Sequence, residues 1–167
     1  MKKLLFLLFS VTILLSACTN PSDVSDKFHV LPLPAEQTFT GFSKISPNDL
    51  PDFGTSMKSA TETVFADNML TLFKDLEAPD LKDEAYILEI TAKEIFISSK
   101  DDRGLFYAIK TLQQIQQDAA DQGFKLPKCR IVDEPALAYR AIHLDIKHHT
   151  EKLPYYFALM DWLASYK

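Results

Sequence analysis

The sequence has only two cysteines, Cys18 and Cys129, in 167 residues. Cys18 closes an apolar leader. That leaves Cys129 alone, without a partner for an internal disulfide or a shared zinc site. It reads as a small buried hydrophobe. Basic charge is not in excess: 18 Lys and Arg against 23 Asp and Glu leave a net charge of −5. No basic stripe or aromatic-interleaved patch is present, which argues against nucleic acid as a partner. Leu4 to Leu15 is almost wholly apolar, but its roughly 12 residues are too few to cross a ~30 Å hydrocarbon core as a helix. There is no internal repeat and no low-complexity tract. The apolar fraction of 47% and the charged fraction of 25% are those of an ordinary globular protein.

What is present begins with the leader. Lys2 and Lys3, the apolar run and the small-residue exit Ser16-Ala17 form a secretory signal peptide, residues 1–17. Leu15-Ser16-Ala17-Cys18 resembles a bacterial lipobox, in which the cysteine becomes the first mature residue and carries lipid. The alternative is an ordinary signal peptide with an incidental cysteine. Several acyl chains on Cys18 hold a protein stably on a membrane surface, whereas one chain binds only marginally. Residues 18–27 are polar and read as a flexible, lipid-anchored tether. Thr19 stands where an aspartate would signal retention at the inner membrane. The expected location is the bacterial cell envelope, periplasmic or surface-exposed.

The pattern after the tether predicts an α+β fold, a small antiparallel sheet with two helices over residues 28–132. Val30 to Pro34 is extended and its prolines suit an edge position. Gln37 to Phe42 is a candidate strand, and Asn48 to Gly54 a loop. Phe65, Met69, Leu72, Phe73 and Leu76 recur at helical spacing, predicting a helix over about 58–76. Glu84 to Thr91 and Glu94 to Ser99 alternate and predict an antiparallel hairpin, although no glycine marks its turn at Ala92-Lys93. Asp101 and Asp102 are N-cap candidates for a helix whose face is Leu105, Ala108, Ile109 and Leu112. Lys128 to Val132 reads as another strand.

Residues 133–167 read differently. Asp133-Glu134-Pro135 marks an entry loop. Tyr139 to Ile146 reads as a buried strand with Arg140 at its start, and Asp145 and His149 lie at and just past its end. A helix follows, with Pro154 in its first turn and an apolar side suited to packing on strands. This is how a (β/α)8 TIM barrel begins: a parallel strand points inward and polar groups gather at its C-terminal end. One strand and one helix make no barrel, so residues 138–167 are expected to pack loosely or stay mobile while 28–132 fold. His143, His148 and His149 invite a metal site. However, adjacent strand residues face opposite ways, and no Cys or acidic ligand sits at standard spacing. No metal or other cofactor is expected.

Asp101-Asp102-Arg103-Gly104-Leu105-Phe106-Tyr107-Ala108-Ile109-Lys110-Thr111-Leu112 carries a glycine, an aromatic pair and a Lys-Thr-Leu step. It resembles the second helix of the domain that precedes the barrel in family 20 glycoside hydrolases, the β-N-acetylhexosaminidases. The hairpin before it matches in type. Asp133-x-Pro135, Tyr139-Arg140-Ala141, Leu144-Asp145 and His149 follow in the family's order, so the resemblance covers roughly 28–167. Tyr139 stands in place of tryptophan, Ala141 of glycine, His148 of arginine and Thr150 of an aromatic.

The resemblance implies removal of terminal N-acetylhexosamine from glycans by substrate-assisted hydrolysis. It implies that Arg140 binds sugar hydroxyls; the other reading of Arg140 is a structural ion pair. Asp145 and His149 would orient such groups, or serve as plain structural hydrogen-bonding residues. The family's catalytic Asp-Glu pair lies on a later barrel strand. Asp133-Glu134 is not that pair and reads as a strand end in a solvated loop. This segment alone is therefore expected to be inactive. Two alternatives stand beside this reading. One is a non-catalytic surface lipoprotein module for binding or spacing. The other is a family 84 or 67 glycosidase with a similar leading domain, although the order Arg140, Asp145, His149 favours family 20.

Overall fold

The computed structural model describes residues 22–53, 70–74 (backbone only) and 81–167. The signal peptide, Cys18 and residues 58–69 and 75–76 of the expected helix lie outside the described residues. The elements are α1 (Ser22–Ser25), β1 (Glu36–Phe42), a 3-10 turn at Pro47–Asp49, β2 (Leu70–Lys74), β3 (Tyr86–Ile90), β4 (Ile95–Ser99), α2 (Asp102–Gln122), β5 (Pro127–Asp133) and α3 (Leu153–Ser165). The strands form one sheet in the order β1-β5-β3-β4-β2. All neighbours pair antiparallel except β2 with β4, which run parallel. The α+β class holds.

The hairpin β3–β4 follows from its alternation. Its turn closes without glycine because the Thr91 side chain takes over: Oγ1 accepts from Glu94 N–H at 3.0 Å and from Lys93 N–H at 3.4 Å. This is the serine/threonine route to a turn. α2 begins where its sequence says. Asp101 is the N-cap, and its carboxylate accepts from Gly104 N–H at 2.7 Å. α2 ends at Gly123, whose φ of 71° is the left-handed conformation glycine adopts freely.

The face of α2 carrying Leu105, Ala108, Ile109, Leu112, Ile115 and Ala119 is buried in one core with the inward residues of the sheet. Those residues form rows across the strands. Cys129, Ile90 and Ile95 make one row, and Ile131, Leu88 and Ile97 the next. Burying each of the larger side chains contributes about 1.5–3 kcal/mol, so these rows hold α2 on the sheet. The third row, Asp133–Tyr86–Ser99, is polar yet buried. It lies at the end of the sheet where α2 starts.

Four sequence expectations are corrected. Residues 70–74, expected as helix, form β2: pairing with β4 outweighs the helical spacing of Leu72 and Phe73. Residues 22–27, expected within the flexible tether, include α1, and Val24 is buried in the core. Val30 to Pro34 joins no sheet. There the backbone runs along α2: His29 N–H donates to Asp118 Oδ2 at 2.8 Å and Leu31 N–H to Gln114 Oε1 at 2.7 Å. Tyr139 to Ile146 forms no strand, and Ile142, Leu144 and Ile146 are exposed. A strand needs a partner for its backbone groups, and none lies beside it among the described residues. α3 does form, with Pro154 in its first turn. It lies against α2, where Gln114 Nε2 donates to Ser165 O at 2.8 Å and to Leu31 O at 2.7 Å. Large apolar residues of α3 stay open on two sides: Leu153, Phe157 and Met160 on one face and Trp162 on the opposite one are 57–64% exposed.

Candidate functional site

The polar row at the sheet end organises the site. Tyr86 shares the inward face of β3 with Leu88 and Ile90, so its ring is core and its hydroxyl reaches the rim. The hydroxyl lies 2.5 Å from Thr111 Oγ1 on α2 and 3.2 Å from Asp133 Oδ2 on β5. Lys167 Nζ closes the cluster, donating to Asp133 Oδ2 at 2.6 Å and to Tyr86 Oη at 2.7 Å. Burial, with the charge of Asp133 beside it, holds the Tyr86 phenol above its ordinary value. Burial lowers the Lys167 ammonium, and Asp133 opposes that shift. Asp133 was expected in a solvated loop. It is buried instead, because β5 carries it into register with Tyr86. Glu134 does face solvent and pairs with Lys82 at 2.5 Å.

A second group of charges lies at the same end. Glu84 precedes β3 with a φ of 64°. Its carboxylate accepts from Arg103 Nη1 at 2.7 Å and from Arg140 Nη2. Arg140 also donates to Leu137 O at 2.6 Å and to Tyr107 Oη at 3.4 Å, and its guanidinium lies 5.7 Å from the centre of the Tyr107 ring. The hydrogen bond that Arg140 donates to Glu84 raises its guanidinium above its ordinary value. Arg140, Glu84, Tyr107, Tyr166 and Lys167 line two clefts of about 220 and 460 Å³. The larger lies in the roughly 300–1,000 Å³ range of small-molecule sites.

Among the candidates from the sequence, only Arg140 belongs to this cluster. Asp145 is exposed and accepts from Lys147 N–H at 2.9 Å. His149 is exposed and pairs with Glu151 at 2.7 Å. The structure brings neither of them to Arg140. Cys129 is buried, and burial pushes its thiol up to about 12. Glu84, Tyr86, Asp133 and Lys167 were missed. The alternation of β3 and β5 puts Tyr86 and Asp133 on the core face and so signals a buried polar pair. Nothing local marks Glu84, whose partner Arg140 is 56 residues away. Among the described residues no group of three or more His, Cys, Asp or Glu could hold a metal ion.

The fold defines an α+β domain, one sheet backed by a long helix, with the segment 134–167 docked at its polar end. The model for glycosyl hydrolase family 20, domain 2, matches residues 30–134, and the chain belongs to that family. It is 32% identical over 98 residues to a β-N-acetylhexosaminidase of Cellulomonas fimi, covering 59% of this chain and 19% of that protein. It is 30% identical over 98 residues to a β-hexosaminidase of Akkermansia muciniphila, covering 59% and 20%. The chain thus spans about a fifth of the length of these curated relatives. A solved family 20 β-N-acetylglucosaminidase aligns at 25% identity with a TM-score of 0.59, over 82% of this chain and 27% of the other. The Vibrio harveyi family 20 exo-β-N-acetylglucosaminidase, solved with N-acetylglucosamine, aligns at 21% identity and TM-score 0.59, over 83% and 24%. At that identity the likeness is one of fold.

Proposed function

We propose that this chain is the leading segment of a β-N-acetylhexosaminidase that removes terminal N-acetylhexosamine from glycans. Residues 28–132 form the leading domain, and 133–167 open the catalytic TIM barrel. Relatives named as β-N-acetylhexosaminidase or β-hexosaminidase, matched over 86–98 residues, support the activity. The observation that carries the barrel reading is the open apolar surface of α3: Leu153, Phe157 and Met160 share one face and Trp162 lies on the opposite one, all exposed, which is an unusual surface for a stand-alone lipoprotein module. Further barrel elements would cover it.

In this reading the substrate assists its own hydrolysis. The 2-acetamido oxygen forms a bond to the anomeric carbon as the glycosidic C–O bond breaks, and a glutamic acid gives its proton to the leaving oxygen. Water then opens the cyclic intermediate. That acid and the aspartate that orients the acetamido group lie outside these 167 residues. This segment supplies Arg140 to bind sugar hydroxyls, its guanidinium offering donors in a fixed plane. Asp145 and His149 take orienting roles once the strand is paired. Cys18 carries lipid and holds the protein at the bacterial cell envelope.

The test compares 4-nitrophenyl N-acetyl-β-D-glucosaminide with 4-nitrophenyl β-D-glucoside, which lacks the acetamido nucleophile. The complete enzyme is expected to cleave the first and not the second, while the 167-residue segment cleaves neither. Equal hydrolysis of the two glycosides, or turnover by the segment alone, contradicts the proposal.

A further inference from the structure

The end of the sheet opposite Tyr86 and Asp133, where α2 stops, gathers lysines. Ser43 N–H donates to Leu126 O and Lys44 N–H to Ala92 O, each at 2.8 Å. These bonds tie the end of β1 to the β3–β4 turn and to the residues leading into β5. Lys128 pairs with Gly41 across the β1–β5 ladder. Lys27 follows α1; Gln122 Nε2 donates to its carbonyl at 2.6 Å, and its Nζ lies 5.0 Å from the centre of the Phe124 ring. Lys27, Lys44, Lys93, Lys125 and Lys128 thus share one end of the domain, with Lys44, Lys93 and Lys125 exposed. The carboxylates of the same segments are Asp26, Glu94 and Asp121, the last accepting from Gln117 Nε2 at 2.7 Å. Lysine is in excess here, in a chain whose net charge is −5.

The chain also enters at this end. Val24 and Phe28 are buried, and the Phe28 ring lies 5.9 Å from that of Phe39 and 6.4 Å from that of Phe42. α1 is therefore docked on the domain. Only residues 19–21 stand between Cys18 and Ser22. An extended chain gains at most about 3.6 Å per residue, so Cys18 can reach no more than about 14 Å from Ser22. A bilayer that holds acyl chains on Cys18 must come that close to α1 and hence to the adjoining lysines. An anionic headgroup layer attracts basic side chains over about a Debye length, roughly 8–10 Å. The 21 residues of α2 put about 30 Å between this end and the polar end where 134–167 dock.

We propose that the lysines at the C-terminal end of α2 are a docking surface for an anionic phospholipid bilayer, so that the leading domain meets the membrane end-on and holds the segment 134–167 away from it. A phospholipid surface is the occupant because the short reach from Cys18 brings one to this end and its charge complements the lysines. This rests on the reading of Cys18 as the lipid site.

The experiment uses the complete enzyme from Thr19 onward, without leader or lipid, so that it reads the surface and not the anchor. Cosedimentation compares phosphatidylcholine vesicles with vesicles in which about one third of the lipid is phosphatidylglycerol. Binding to the anionic vesicles is expected to be about tenfold or more tighter, and to fall to the neutral level in about 0.5 M salt. Replacing Lys44, Lys93 and Lys125 together by Gln should weaken it by about tenfold or more, whereas Lys82→Gln with Lys100→Gln, at the polar end, leaves it unchanged. Acetylation read by mass spectrometry carries the test without any substitution. On anionic vesicles Lys44, Lys93 and Lys125 should react about threefold or more slowly, and Lys82 and Lys100 at their former rate. Equal binding to both vesicles, protection at Lys82 and Lys100 instead, or a Lys44, Lys93 and Lys125 set already shielded before vesicles are added overturns the docking surface. Fatty acid on Cys18 is read separately in the native host: its presence beside failed vesicle binding removes the surface and keeps the anchor, and vesicle binding by a protein that carries no lipid in the host removes the anchor and keeps the surface.

Discussion

Gly104 is where the first turn of α2 meets the turn that carries Glu84. A Cβ placed there would lie well inside contact distance of the Ala85 carbonyl oxygen and 3.2 Å from the carbonyl carbons of Ala85 and Glu84. All three are backbone atoms, so no side chain can swing aside. Overpacking of this kind costs about 1–3 kcal/mol. If α2 moves to make room, the Asp101 cap weakens, a further loss of about 1 kcal/mol. Against this, alanine is favoured over glycine in a helix by about 1 kcal/mol. The clash wins, and Gly104→Ala is expected to destabilise the chain by about 1–3 kcal/mol. For a domain of roughly 100 residues this lowers Tm by about 5–20 °C. Calorimetric unfolding of the chain with and without the substitution reads it. A variant as stable as the parent, or more stable as helix preference alone dictates, refutes the close-approach argument.

Cys129 predicts an alkaline loss of stability. The folded thiol keeps its proton up to about pH 12, whereas the unfolded thiol releases it near the ordinary 9.0. Stability is therefore full below pH 9 and falls as pH rises toward 12, by about 4 kcal/mol at the limit. Urea midpoints should drop over pH 9–11 in the parent and less in Cys129→Ala; parallel pH profiles would count against it. The amides of Ile142 and Leu144, in the unpaired stretch of the 167-residue chain, should exchange with deuterium far faster than those of Leu88 and Ile97 in the central strands. Strong protection of the first pair in a monomer would contradict the absence of strand pairing. Cys18→Ser should abolish incorporation of labelled fatty acid in a bacterial host; continued labelling would remove the lipobox reading.

The elements with strong local signals were legible. α2 announces itself by the Asp101 cap and the spacing of Leu105, Ala108, Ile109 and Leu112, and β3–β4 by alternation. The errors lie where tertiary context decides. Leu72 and Phe73 fit a helical stripe, yet their stretch pairs with β4. Tyr139 to Ile146 has the alternation of a strand, but pairing requires neighbours that the described residues do not supply. Val24 lies in a polar stretch and is nonetheless drawn into the core. In the candidate site, Arg140, singled out by its motif, lies in the polar cluster and pairs with Glu84. Glu84 was not legible, because its pairing comes from a left-handed backbone turn and from two arginines brought together by the fold. The resemblance carried by Gly104 and Tyr107 acquires a physical content here: one admits the Ala85 carbonyl, the other supports Arg140.

The most direct test of the central claim is the structure of the complete enzyme with N-acetylglucosamine bound. The account predicts Arg140 nitrogens within about 3 Å of the sugar hydroxyls, with the Glu84 carboxylate still paired to the same guanidinium. A sugar bound without contact to Arg140 would contradict it.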